Sequence, residues 1–164
     1  MSACIFFAAD FNLPEKERPD GSILEIDFER GMVSDGNADD DYGLYAFTDF
    51  DGHTELPYAV SLEWSGFTPG RAEHLIEYIR AALEHCDRIE LWHVWLTGFC
   101  EYDERPYRKT MTVPICDLTI DDIKTVCEFD VWPSDKARPT DVCLVITCLF
   151  IHISEPTRLG MISY

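Results

Sequence analysis

A chain of 164 residues is the usual size of one compact domain, and folding at that length buries roughly 68–70% of the unfolded surface. Hydrophobic residues at 46% and aromatics at 13% exclude wholesale disorder. Against 13 Lys and Arg stand 31 carboxylates, a formal charge of −18, and the resulting potential excludes direct contact with nucleic acid or an anionic membrane while favouring a basic partner.

The acid is concentrated early: residues 1–67 hold 15 acidic and 3 basic side chains, the remainder 16 and 10. No Pro-, Gly- or Ser-rich linker divides the chain and no fixed-period repeat runs through it, so residues 1–164 are expected to form one domain with one acidic surface. The apolar run Ala3–Ala9 has no Lys or Arg before it and meets Asp10 at once, which fits neither a secretory signal nor a transit peptide; a cytoplasmic protein is expected. Seven cysteines at irregular gaps, with no Cys-x-x-Cys, read as reduced core thiols, not as a disulfide framework.

Ala3–Ala9 predicts a buried strand. After the turn residues Pro19-Asp20-Gly21, Ser22–Phe28 alternates Leu24, Ile26 and Phe28 with Ile23, Glu25 and Asp27, a half-buried strand, and Gly31 permits a reversal into Met32–Val33. The run Asp35–Asp41 is a solvated loop, because adjacent carboxylates repel when buried. Leu44–Phe50 and Thr54–Trp64 flank Asp51-Gly52, a pair suited to a two-residue hairpin turn, with Pro57 marking an edge or bulge.

Thr68 as cap, Pro69 at the first helical position and the stripe Ala72, Leu75, Ile76, Ile79, Ala82, Leu83, Cys86 predict an amphipathic helix, whose wet face carries Glu73, His74, Glu77, Arg80, Glu84 and His85. Ile89–Leu96 is apolar on both sides and reads as a central strand. Tyr107–Ile115 is expected to return antiparallel to it, with Met111, Val113 and Ile115 inward and Pro114 at an end or edge. Thr119 and Asp122 form a capping-box variant for a short helix ending near Glu128. Asp141–Ile153, rich in Val and Ile, suits a strand covered on both faces; at 12 residues the apolar stretch Val142–Ile153 is too short to cross a bilayer, which needs about 20. The sum is an α+β sandwich: a mostly antiparallel sheet with one long and one short helix packed mainly on one face.

Chemical constellations are few. Asp35, Asn37 and Asp39 imitate the first ligands of a calcium loop, but position six is Asp40 where the bend needs Gly, and position twelve is Ala46 where a bidentate Glu belongs. Asp49, Asp51, His53 and Glu55 gather possible ligands, yet the Asp51-Gly52 turn already explains that pattern. No metal and no cofactor are therefore expected. His93 with Cys100 and Glu101 is the nearest approach to a nucleophile beside a base, and a lone histidine on an apolar strand face reads better as a hydrogen-bonded core residue. No nucleophile elbow, phosphate loop, dinucleotide fingerprint or zinc-protease motif occurs. Trp64, Trp92 and Trp95 are candidate anchors, two of them expected in the core, with Glu90 and Trp92 together on the less covered sheet face as a contact patch.

These observations favour a non-enzymatic binding module that neutralises or escorts a basic protein, in the manner of immunity proteins that cap toxins. Asp35, Asp39, Asp40, Asp41, Asp49 and Asp51 would steer the partner, and Glu90 and Trp92 would pack against it. A hydrolase using carboxylates or a bound divalent metal ion is the alternative class. A third reading assigns the acid to solubility and the function to a homo-oligomer or ligand pocket.

Overall fold

The computed structural model describes residues 3–19, 25–34, 39–50, 52–96 and 105–148. The elements in chain order are β1 (Ala3–Ala9), β2 (Glu25–Asp27), β3 (Met32–Ser34), β4 (Tyr42–Ala46), β5 (Tyr58–Trp64), α1 (Pro69–Ala82), β6 (Arg88–Trp95), β7 (Tyr107–Pro114), α2 (Ile120–Cys127) and β8 (Thr140–Thr147). Six strands form one mixed sheet in the order β4-β5-β1-β6-β8-β7, antiparallel throughout except where β7 runs parallel to β8. With both helices added, the fold is α+β, as composition and patterning predict.

β2 and β3 form a separate hairpin, reversing at Gly31, whose φ of +62° lies in the left-handed region that glycine enters without a Cβ penalty. Among the described residues, no helix is long and apolar enough to cross a membrane.

The two helices lie on the same face of the sheet. Thr68 caps α1 by accepting from the Arg71 amide, and Ala72, Leu75, Ile76, Ile79 and Ala82 point into the main core with Phe7, Leu44, Ile89, Leu91, Val142 and Leu144. Fully burying side chains such as Leu75 and Ile79 stabilises the fold by about 1.5–3 kcal/mol each, and this docking holds the helix better than propensity does. α2 begins with the reciprocal capping box of Thr119 and Asp122, ends at Glu128, and adds Ile123, Val126 and Cys127 to the same core. Burial pushes the Cys127 thiol up to about 12, which makes it an inert core thiol.

The opposite face carries a second core of Phe6, Ala8, Leu56, Ala59, Trp92, Val94 and Cys143, with Phe47 and Phe50 packed against it. No helix covers it. Its cover is the connection from β4 to β5, which corrects the expected two-residue hairpin: the strands do pair, Tyr42 with Trp64 through Ala46 with Val60, but residues 47–57 lie outside both. The turn at Gly52 survives inside that connection, with the His53 amide bonded to the Phe50 carbonyl and Gly52 at φ +88°. Phe47, Phe50 and Leu56 drive the difference: a tight hairpin would leave the sheet's second face without apolar cover.

A second correction concerns β7, which does not pair with β6. β8 lies between them, pairing antiparallel with β6 and parallel with β7, and α2 is the crossover that a parallel pair requires. Inserting β8, apolar on both faces, hides that strand and leaves the more polar β7 at the edge, where Pro114 ends it. The capping box is directly testable. Thr119→Ala should lower the urea midpoint by an amount equivalent to about 1 kcal/mol with an unchanged m-value; no change in midpoint would mean that the box contributes nothing.

Candidate functional site

The predicted acidic loop divides into side chains with different fates. Asp35 and Asp51 lie outside the described residues. Asp41 is buried and accepts both Nε and Nη2 of Arg18, the second at 2.8 Å. The Arg18 hydrogen bonds hold its carboxyl below the usual carboxylate range, against the opposing effect of burial, with Arg71 and Lys16 adding to the attraction. Asp41 is therefore a structural ion-pair partner, which corrects its expected exposure. Lys16 donates to the Asp40 and Tyr42 carbonyls at 3.1 and 3.0 Å and sits over the Tyr42 ring, and its pKa is lowered by desolvation.

Asp39 accepts from the Thr68 hydroxyl at 2.7 Å and lies against Gly70, where a Cβ would fall on its carboxylate. An anion there complements the amino end of α1. Asp40, with its side chain 80% exposed, faces His74 at 3.4 Å, and Asp49 is exposed. Tyr78 on α1 donates to the Pro14 carbonyl, tying the 10–16 segment along the same helix. The exposed residues Asp10, Asp39 and Asp40 therefore flank Glu73 and Glu77 on the outer face of α1, forming one acidic flank, while Glu15 accepts from the Ala46 amide of β4.

Glu90 and Trp92 share a sheet face, as their alternation predicts, but that face is roofed. Trp92 is 3% exposed, stacks on Phe6 at 6.1 Å between centroids, and donates from Nε1 to Glu90 Oε2 at 2.9 Å. The same carboxylate oxygen accepts from the Thr54 hydroxyl at 2.6 Å. The expected contact patch is thus part of the second core, covered by Phe47, Phe50 and Leu56 of the β4–β5 connection. Trp64 and Trp95 are half-buried. His93 is buried, its Nδ1 lies 2.8 Å from the Val126 carbonyl, and burial lowers its pKa, the behaviour of a satisfied core histidine; Cys100 and Glu101 lie outside the described residues.

Beside this second core opens a polar cleft of about 550 Å³ between the 52–55 turn and the start of β7. At its base Asp141, 3% exposed, holds His53 Nδ1 at 3.0 Å through Oδ2, while Oδ1 is buried with no donor. Arg108 donates to the His53 carbonyl at 3.0 Å and lies over the Trp92 ring at 5.0 Å, and Arg105 and Glu55 complete the walls. In sequence His53 lies among Asp49, Asp51 and Glu55, but its partner in the fold is 88 positions away. Two signals were present: Asp141 heads an otherwise apolar strand, and residues 105–109 form the densest basic run of an acidic chain.

Among the described residues, no group of three or more His, Cys, Asp or Glu is placed to hold a metal ion. Comparison of the chain with protein-family models, curated proteins and solved structures gives no match.

The Arg18–Asp41 pair predicts a pH dependence of stability. Because the folded pKa of Asp41 lies below its ordinary value of 3.8, the stabilisation is complete above that value and lost as pH falls through the folded pKa. Asp41→Asn should therefore be less stable than the parent at neutral pH, and urea titrations of the two proteins should converge as pH falls below about 4. A constant difference across that range would sink the assignment.

Proposed function

We propose that the protein is a non-enzymatic binding module that captures a basic protein partner, and that neutralising such a partner, as an immunity protein neutralises a toxin, is its role. The observation supporting this reading is the acidic flank: Asp10, Asp39 and Asp40 gather with Glu73 and Glu77 along α1 although they are scattered through the sequence. The cations of β7 lie at the other edge of the sheet. Strand spacing puts the two edges of a six-stranded sheet roughly 24 Å apart, two or more screening lengths at physiological ionic strength, so those cations do little to cancel the field of the flank.

Long-range attraction of this kind raises association rates more than it deepens affinity. Short-range contact has a candidate in the β2–β3 hairpin, where Phe28 is 87% and Ile26 53% exposed. Large aromatic side chains of that kind supply the anchoring area that steering charges lack.

Affinity capture from the native host at low salt, with release by raised salt, should identify a protein of basic isoelectric point. With that partner in hand, the combined reversal Asp39→Lys, Asp40→Lys, Glu73→Lys and Glu77→Lys should slow association by about tenfold or more, with a much smaller change in dissociation rate. An association rate unaffected by both salt and the reversal would refute the steering role.

A further inference from the structure

The His53–Asp141 cleft stands apart from the acidic flank and makes three chemical demands at once. Arg108 is held in place by its bonds to the His53 and Gly52 carbonyls, at 3.0 and 3.4 Å, and by the Trp92 ring beneath it. Among the described residues its Nε and Nη1 and the guanidinium of Arg105 have no carboxylate partner, so two cations at the wall call for an anion. Asp141 Oδ1 calls for the opposite: it is a buried acceptor with no donor, a condition costly enough that a ligand or water normally relieves it. His53, its Nδ1 engaged by Asp141, presents the remaining imidazole nitrogen as the third polar group.

We propose that this cleft binds the phosphate group of a small phosphomonoester. A carboxylate or a sulfate satisfies the arginines but brings no donor. A phosphomonoester, whose second pKa is about 6, keeps a proton part of the time near neutrality and can accept from Arg105 and Arg108 while donating to Asp141. Arginine suits this task because its planar fork matches phosphate oxygens in pairs. The volume of about 550 Å³ exceeds what one phosphate fills and falls in the range of small-molecule sites. Exposed Glu55 on the rim repels a second anionic group, so the rest of the ligand is neutral or cationic.

The test is a two-dimensional NMR titration of the full chain with inorganic phosphate and, separately, with sulfate at matched ionic strength near neutral pH. Charge alone favours the doubly charged sulfate, so the expected result separates a built site from simple ion attraction. Phosphate should shift the His53, Thr54 and Glu55 amides saturably and bind about tenfold more tightly than sulfate, the size of effect expected for one buried hydrogen bond. Arg105→Gln should weaken phosphate binding by about tenfold with an unchanged melting temperature, whereas Arg80→Gln on the outer face of α1 should leave it unaltered. Asp141→Asn should erase the preference for phosphate. Should that variant not fold, the parent's phosphate-to-sulfate ratio and the Arg105→Gln result still decide. No saturable shift with phosphate, equal binding of sulfate, or a preference that survives Asp141→Asn would overturn the proposal.

Discussion

The constraint from which most of this structure follows is a sheet that is apolar on both faces but, among the described residues, has helices on only one. β1 and β6 each send alternate residues to opposite sides, Phe7 and Leu91 toward the helices and Phe6 and Trp92 away from them. Two helices close the first face. The second must be closed by something else, and the chain uses the irregular 47–57 connection, whose Phe47, Phe50 and Leu56 seal Phe6 and Trp92 from water. An irregular cover brings its own polar groups inward, and those groups need partners. Thr54 therefore meets Glu90, and His53 meets Asp141. The cleft is a by-product of covering a sheet with a loop.

Negative charge is handled in two ways. Two of the three buried carboxylates among the described residues have a cation, Asp41 having Arg18 and Glu90, though it relies mainly on hydrogen bonds from Thr54 and Trp92, having Arg88 at 3.5 Å, whereas Asp141 has the His53 ring. Where the charge can stay wet, part of it gathers along α1, at Asp39, Asp40, Glu73 and Glu77, and part, such as Glu63, Asp117, Asp121 and Asp135, lies elsewhere on the surface. The first arrangement anchors the strand β4 end of the molecule, because Arg18 and Lys16 bridge the 10–18 segment to residues 40–42. The second leaves the outer face of α1 with a field that its own cation, Arg80, only partly offsets.

Local signals proved readable, and long-range ones did not. The caps at Thr68 and Thr119, the buried stripe of α1, the turn at Gly31, the inward set Met111, Val113 and Ile115, and the two-sided burial of β6 and β8 all depend on residues within a few positions of one another. The choice of β8 over β6 as neighbour of β7 depends on comparing residues 33 positions apart, as Tyr107 and Thr140 are, and hydrophobic periodicity carries no information on that comparison. The same limit hid the cleft. Nothing near His53 in sequence points to Asp141, and Glu90 with Trp92 looked like an open patch because the cover lay in a segment whose Asp-Gly pair signals a short turn.

The parallel pairing of β7 with β8 is also what assembles the cleft. In that register Arg108 stands beside Asp141, on the face shared with Cys143 and Trp92. Pairing β7 directly with β6, as a simple hairpin would, would take Arg108 away from Asp141 and put an apolar strand at the edge. The crossover through α2 thus serves two ends. It lets a strand that is apolar on both faces occupy an interior position, as burial requires, and it brings a cation from one strand and a carboxylate from the next to the loop that roofs the second core. Arg108 then bonds to the His53 and Gly52 carbonyls, so the edge strand and the roof hold each other. A side chain that fixes the cover in place while leaving other N–H groups directed at a polar cavity joins the packing of the second core to whatever that cavity receives.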